Sequence, residues 1–302
     1  MKNALNYYYN LNPTSIHQIN KDYRCYINDE EYLLNYYEKN DYMIDEIYEL
    51  SNYLLNYNIP CHQIILNNNR EKVTLINNRP YVLLKIFVKN RIVNSDDLLF
   101  FSQLNIDAKN FQSLFKYNWY NLWVKKIDYF EYQISQFGKK YPLIRSSFNY
   151  FVGLAESGIS LFRNIYNKNE YNFVVSHDRI KINDGLVQLY NPLNFILDNK
   201  VRDLSEYIKD KVIFGSYSIE EAKEDIQKIK LSTYEYGLLF SRLLFPTYYF
   251  DCYEKIVFGY SDESELLKII NQNNKYYVFL KDLYIYLKPF MTTTEIEWLI
   301  KT

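Results

Sequence analysis

Tyr23-Arg-Cys-Tyr-Ile-Asn-Asp-Glu-Glu-Tyr-Leu-Leu-Asn-Tyr-Tyr-Glu38 sets two runs of β-forming residues, Tyr23 to Asn28 and Tyr32 to Glu38, around the acidic pair Asp29-Glu30. Aromatic and branched side chains on both sides of a short polar break predict a β-hairpin. From Asp41 the spacing changes: Ile44, Ile47, Tyr48, Leu50, Leu54 and Leu55 share one broad helical face, and Pro60 closes the segment. The chain therefore opens as strand, strand, helix.

Moving outward, His62 to Leu66, Val73 to Ile76 and Tyr81 to Phe87 read as three further strands, separated by turns at Asn67-Asn68-Asn69 and Asn77-Asn78. A small sheet with one helix is expected over residues 1–90. From Ser95 the pattern is helical, with Ser95 and Asp96 as caps, apolar Leu98, Leu99, Phe101 and Leu104, and a second apolar series from Phe111 through Ile134. Within this second part, Tyr171 to Tyr190 predicts an embedded β-hairpin: Phe173-Val174-Val175 runs in, Arg179 to Ile182 and Leu186 to Leu189 alternate, and Asn183-Asp184-Gly185 is the turn. Helices resume with Ser218 and Glu221 at capping-box spacing, an apolar segment from Tyr234 to Phe245, and a last pair after Ser261 and after Thr292. The expected fold class is α+β in two lobes: a small β-rich lobe over 1–90 and a mainly helical lobe over 91–302, with the hairpin at about 171–190.

Composition narrows the function. The formal charge of -1, from 35 basic and 36 acidic side chains, provides no field that would collect nucleic acid or anionic lipid. Lys125-Lys126 and Lys139-Lys140 read as solvated faces. Cys25, Cys61 and Cys252 form no disulfide framework and no CxxC or Cys/His metal spacing, which fits a reducing cytoplasm. Met1 to Asn10 lacks the apolar core of a signal peptide. Tyr236 to Phe250 contains Arg242 and Pro246, is too short to cross a bilayer, and reads as a buried helix. The 34 tyrosines are spread along the chain and serve as core and half-buried filler rather than as a stacking platform.

Four segments carry a resemblance. Trp119-Tyr-Asn-Leu-Trp-Val-Lys-Lys-Ile-Asp128 resembles the WxxLWxxRxD helix of the spore-coat kinase-like family (CotS and YutH type), which is akin to the aminoglycoside and choline phosphotransferases. Phe151-Val-Gly-Leu-Ala-Glu-Ser-Gly-Ile159 is similar to that family's YxGLAENAI segment, and Arg202-Asp-Leu-Ser-Glu-Tyr-Ile-Lys209 to its RDLAEWIR helix. Leu239-Phe-Ser-Arg-Leu-Leu-Phe-Pro-Thr-Tyr-Tyr-Phe250 is similar to its RLLFPxxYF stretch. The resemblance spans residues 119–250 and implies a protein-kinase-like fold. By spacing alone, Trp119 and Trp123 share a helix face and read as core, Gly153 and Gly158 as sites of close helix approach, and Arg202-Asp203 as a buried ion pair or helix-start charge.

Phosphoryl transfer asks for backbone N–H groups over the phosphates, a lysine, a catalytic aspartate and magnesium ligands. The first glycine of the chain is Gly138, and the turn at Asn28 to Glu31 is acidic, so no glycine-rich phosphate cradle is expected. Asn35 stands where the relatives have the lysine; Lys85 mimics the motif but follows the helix, and Glu46 and Glu49 read as solvated helix charges. Ser176-His177-Asp178-Arg179-Ile180-Lys181-Ile182-Asn183 is the candidate catalytic loop and aligns in two ways. In one, Asp178 is the base and Asn183 a metal ligand; in the other, which the alternation favours, the loop is shortened and Asn183 is the hairpin turn. His177 and Asp178 are then remnants, His177 ordering the loop and Asp178 capping or salt-bridging it. The relatives' magnesium aspartate falls near Asn191, an amide without the charge a hard cation needs, while Asp198 reads as a turn residue.

The expected function is a degenerate, pseudokinase-type scaffold or binding protein, cytoplasmic, and spore-associated if the organism sporulates. Its expected partner is a protein, or a small molecule in the cleft between lobes, with neither nucleic acid nor membrane. No cofactor and no metal are expected. The alternative is an active small-molecule phosphotransferase using ATP and magnesium, with Asp178 as base and Asp198 or Asp184 on the metal.

Overall fold

The computed structural model describes residues 1–39, 41–116, 118–166, 171–181, 183–292 and 295–300. In chain order the elements are α1 (Lys2–Tyr9), β1 (Ser15–Ile19), β2 (Asp22–Ile27), β3 (Glu30–Tyr36), α2 (Asp41–Asn56), β4 (Gln63–Ile65), β5 (Thr74–Ile76) and β6 (Arg79–Ile86). There follow α3 (Ser95–Ser102), α4 (Trp119–Phe137), α5 (Pro142–Ile165), β7 (Val174–His177), α6 (Leu186–Leu189), β8 (Phe195–Asp198) and α7 (Val201–Phe214). The chain ends in α8 (Ile219–Lys228), α9 (Thr233–Leu244), α10 (Thr247–Val257), α11 (Glu265–Ile270), α12 (Asn273–Leu287) and α13 (Glu297–Ile300). Two compact units result: unit 1 holds residues 1–93, 107–115 and 183–197, and unit 2 the remainder.

Unit 1 is built on an antiparallel sheet in the order β1-β2-β3-β6-β4, with β5 paired to β6. The first expected hairpin forms, pairing Tyr23 with Leu34 and Cys25 with Tyr32. Its turn residues are Asn28 and Asp29, both at positive φ, and Asn77-Asn78 repeats that conformation between β5 and β6. Two consecutive positive φ values match the right-handed twist of a two-residue hairpin, and Asn tolerates them better than other non-glycine residues. In this glycine-poor chain asparagine takes over glycine's turn positions. Along β3 the side chains alternate: Tyr32 and Leu34 join Cys25, Ile27 and Leu83 in a core covered by Leu5 and Tyr9 of α1, while Leu33 and Asn35 point to the other face. Helix α1 was not legible in the sequence because only Leu5 and Tyr9 of its eight residues are buried.

Unit 2 is helical. Its core interleaves aromatic rings from distant segments: Trp123 stacks on Phe245 at 4.5 Å, Phe130 on Phe250 at 4.9 Å and Phe151 on Tyr249 at 3.8 Å. Tyr249, Tyr253, Tyr276 and Tyr284 are all buried there, as filler. Gly158 lets α5 meet α9 closely, since a Cβ at this position would lie 2.8 Å from the Ser241 carbonyl oxygen. Gly153 has no such role; a Cβ there would meet open space. Among the described residues no helix is long and apolar enough to cross a membrane.

Two local expectations are corrected. The N-cap of α3 is Asn94, not Ser95: its side chain accepts from Asp97 N at 3.1 Å, and Asp97 returns the bond to Asn94 N at 2.9 Å. Among the described residues the hairpin expected at about 171–190 does not form: Val174–His177 is the one strand in its first half, and Leu186–Leu189 is a turn of helix that buries Leu186, Val187 and Leu189. Gly185 is not a hairpin-turn glycine either. It precedes α6, where its missing Cβ admits the Asn90 side chain, whose Oδ1 accepts from Val187 N at 3.2 Å. The alternation over 179–189 misled because buried residues at offsets of one and three fit a helical turn as well as a strand. Ile182, part of that expected strand, lies outside the described residues.

Candidate functional site

Asp198, at the end of β8 and 0% exposed, is the centre of a buried polar hub in unit 2. Its Oδ2 accepts from Trp119 Nε1, Arg202 Nη1 and Arg242 Nη2, each at 3.0 Å. Its Oδ1 accepts from Asn199 N at 2.7 Å, from Arg242 Nη2 at 3.0 Å and from the Tyr171 hydroxyl. Both guanidinium groups also lie over the Trp119 ring, at 4.5 and 4.7 Å from its centre. Burial and the Asp198 charge push the Tyr171 hydroxyl well above the usual tyrosine range, so it stays a donor. For Arg242 burial works against the charge, but Asp198 and Tyr171 more than offset it and its pKa is raised. The hub is a carboxylate held between two arginines, with both oxygens' acceptor capacity taken up by protein donors.

The candidate loop sits beside this hub. His177 is buried; its Nδ1 lies 2.7 Å from Asp203 Oδ2, and its backbone N donates to Asp203 Oδ1 at 3.0 Å. Arg202 carries the loop on its other face, donating from Nε to the His177 carbonyl at 2.8 Å and from Nη2 to the Asp178 carbonyl at 2.8 Å. Consecutive residues Arg202 and Asp203 thus each grip the loop, while Arg202 pairs with Asp198 and Asp203 with His177 rather than with one another. The Asp178 carboxylate is half exposed and only 4.0 Å from Arg202 Nη2, and Arg179 makes a two-pronged contact with Asp251 at 2.9 and 3.0 Å.

About two turns further along α7, Lys209 is buried and donates to Glu206 Oε1 at 2.8 Å, Thr247 Oγ1 at 2.8 Å and the Phe245 carbonyl at 3.1 Å. Burial lowers the Lys209 pKa against the pull of Glu206; burial would raise Glu206, but Lys209, Arg179 and Arg202 outweigh it and hold the carboxyl low. The pair is a fully hydrogen-bonded ion pair joining α7 to the start of α10.

In unit 1 the buried amides of Asn35 and Asn191 meet, Asn191 Nδ2 donating to Asn35 Oδ1 at 3.0 Å, while Asn191 Oδ1 accepts from Leu193 N at 3.0 Å. Lys85 pairs with Glu30, and the Tyr32 hydroxyl donates to Glu30 at 2.8 Å, so one carboxylate of the acidic turn is matched locally. Glu46 is not simply solvated: its Oε2 accepts from Ser113 N at 2.9 Å and Ser113 Oγ at 2.6 Å. Glu49, on the same helix, is exposed. Asp184 belongs to this unit, where its carbonyl accepts from Val93 N at 3.0 Å. Asn183 is exposed.

Sequence reasoning singled out Asp178 and His177 but missed the hub. Trp119, Tyr171 and Arg242 lie far from Asp198 in the chain, and only Arg202, four residues on, is within local reach, so the spacing does not announce the convergence of all five. The signal available was charge in apolar company: Arg242 within Leu238 to Phe245, and Asp198 after Phe195-Ile196-Leu197. Among the described residues, no group of three or more His, Cys, Asp or Glu side chains gathers as a metal-holding cluster.

Residues 2–283 match the family described as "Spore coat putative kinase YutH". The chain is 26% identical over 189 residues to the endospore coat-associated protein YutH of Bacillus subtilis (strain 168), a match that spans 54% of this chain and 54% of that protein, about half the length of each. Its fold is similar to that of an aminoglycoside phosphotransferase from Alicyclobacillus acidocaldarius, with a TM-score of 0.66 at 11% identity over 92% of this chain and 93% of that one. It is also similar to a spectinomycin phosphotransferase in an AMP-bound complex (TM-score 0.58, 13% identity, 97% and 98% covered) and to the choline kinase LicA of Streptococcus pneumoniae (TM-score 0.52, 9% identity, 93% and 97% covered). With a small antiparallel-sheet lobe, a larger helical lobe and a family match over nearly its whole length, the chain belongs to the YutH family of spore-coat kinase-like proteins.

Proposed function

We propose that this protein is a degenerate phosphotransferase-like scaffold or binding protein associated with the spore coat, and that it does not transfer phosphate. The carrying observation is the state of Asp198. Divalent cations between phosphates are held by carboxylate oxygens with open lone pairs. Asp198 has none to offer, since six donor contacts occupy its two oxygens. The residues present therefore do not fit a magnesium ion at this carboxylate. Releasing Asp198 for one would strand two buried guanidinium groups, which is far costlier than turning a surface side chain. Asn35, at the position where the resemblance places the lysine, supports the same reading: it is committed to Asn191 and carries no charge.

One observation favours an active phosphotransferase instead: the Asp178 carboxylate remains half exposed and is available to accept a proton. Thermal unfolding with and without Mg-ATP separates the two. Saturable binding to the folded state raises the melting temperature by mass action. The scaffold reading expects no shift with Mg-ATP or Mg-GTP; a saturable shift together with a turnover abolished by Asp178→Ala overturns it.

A further inference from the structure

Asp128 and Glu156 are exposed, and among the described residues neither makes a hydrogen bond or an ion pair. Asp128 closes the segment from Trp119 and Glu156 lies within the segment from Phe151, so both belong to stretches that carry the resemblance while core packing accounts for neither. The fold brings them to one place. Both line a groove of about 320 Å³ between α4 and α5, together with apolar Val124, Ile127 and Ile159. A second groove of about 360 Å³ follows the other flank of α5, between it and the segment 295–298. There Trp298, 36% exposed, lies beside Ile296 and donates from Nε1 to Ser157 Oγ at 3.2 Å. Both grooves lie within unit 2.

Glu156, Ser160 and Asn164 line both grooves. Spaced four apart, they form one row along the outer face of α5 with a groove on each side, which is the surface on which a second helix packs its own ridges. The neighbouring residues keep that face low. Ser157 is small, and a Cβ at Gly153 would meet no atom of the chain, so another backbone has room to approach. The charge on the face is one-sided. Asp128, Glu156, Glu295 and Glu297 line the two grooves against a single cation, Arg163, and although Lys288 matches Glu295, acid remains in excess. With a formal charge of -1 for the whole chain, this excess is local. Apolar grooves with unmatched carboxylates at their margin are complementary to a helix that is apolar on one stripe and basic beside it.

We propose that the outer face of α5 docks a cationic amphipathic helix of a partner protein. Its apolar side chains enter the two grooves, and its lysine or arginine side chains pair with Asp128 and Glu156. This names a class of partner without resting on the scaffold reading: no residue lining the grooves belongs to the Asp198 hub, and the response to Mg-ATP decides nothing here.

The test is fluorescence anisotropy at roughly 0.15 M ionic strength, where non-specific attraction between exposed charges is largely screened. The probe is a fluorescein-labelled peptide of two Leu-Lys-Lys-Leu-Leu-Lys-Leu repeats, and the control is the same peptide with glutamate for every lysine. The basic peptide should bind the full chain saturably and about tenfold or more tighter than the acidic one. Glu156→Lys should weaken that binding by about tenfold, as should Gly153→Gln, which blocks the face without altering its charge. Glu224→Lys, an equal change of net charge at an exposed position of α8 outside both grooves, should leave it unchanged. Absence of saturable binding, equal binding of the acidic peptide, wild-type affinity in Gly153→Gln, or equal weakening by Glu224→Lys would each overturn the proposal. So would a dimer of the free chain that Glu156→Lys converts to monomer, since the face would then belong to a second copy.

Discussion

Both carboxylate oxygens of Asp198 lie 3.0 Å from the same Nη2 of Arg242, and both side chains are sealed from water, at 0% and 2% exposure. Removing one member of such a pair leaves the other charged and buried, which typically costs about 3–5 kcal/mol. Asp198→Asn should therefore lower the unfolding free energy by about that amount in urea or guanidinium denaturation. Asp198→Leu combined with Arg242→Met should lose less than the sum of the single changes, because the double variant strands one guanidinium fewer. Strict additivity would show that the two do not act as a unit.

His62 links stability to pH. It is fully buried, its Nε2 lies 3.0 Å from the Val187 carbonyl, and its Nδ1 has no partner among the described residues. Burial lowers its pKa from 6.5 to about 4, despite the Val187 contact. Because the folded value is depressed, the unfolded chain takes up this proton first. The contribution of His62 is complete above pH 6.5 and drains away as pH falls towards 4, by about 3 kcal/mol at most. Denaturation midpoints measured between pH 7 and pH 4 should fall less steeply in His62→Gln than in the native chain; identical slopes refute the assignment.

The two glycines of α5 should behave oppositely. Gly158→Ala drives a methyl group to 2.8 Å from the Ser241 carbonyl oxygen and 3.2 Å from Phe245 N, both backbone atoms. A loss of about 1–3 kcal/mol is expected from this overpacking. Gly153→Ala meets open space in a regular helix and should stabilise by about 0.5–1 kcal/mol. Melting temperatures moving in the same direction would contradict the described packing of α5 on α9.

The amide pair in unit 1 gives a fourth test. Asn35→Ala leaves the buried Asn191 Nδ2 without its acceptor and should cost about 1–3 kcal/mol. Asn35→Lys, which puts back the residue type that the resemblance implies, should still produce no saturable thermal shift with Mg-ATP, because Asp198 remains enclosed by its arginines. Appearance of such a shift would mean that the missing lysine alone silenced the protein.

Local chemistry alone was enough for the first hairpin, helix α2, the three strands after it and the Ser218 capping box, because alternation, helical periodicity and cap spacing are properties of neighbours in the chain. The two-lobed fold was legible through four segments between Trp119 and Phe250. The segment from Arg179 to Leu189 was misread where two short periods coincide, and the packing of Asn90 against Gly185 broke the tie. Asp198 shows the limit most plainly. As a residue after Phe195-Ile196-Leu197 it could cap a turn, hold a metal or pair with a base, and the chain contains candidates for each. Only the folding of Trp119, Tyr171, Arg202 and Arg242 around it settled which donors it meets, since a buried carboxylate takes its character from atoms brought near by tertiary packing and not from its place in the sequence.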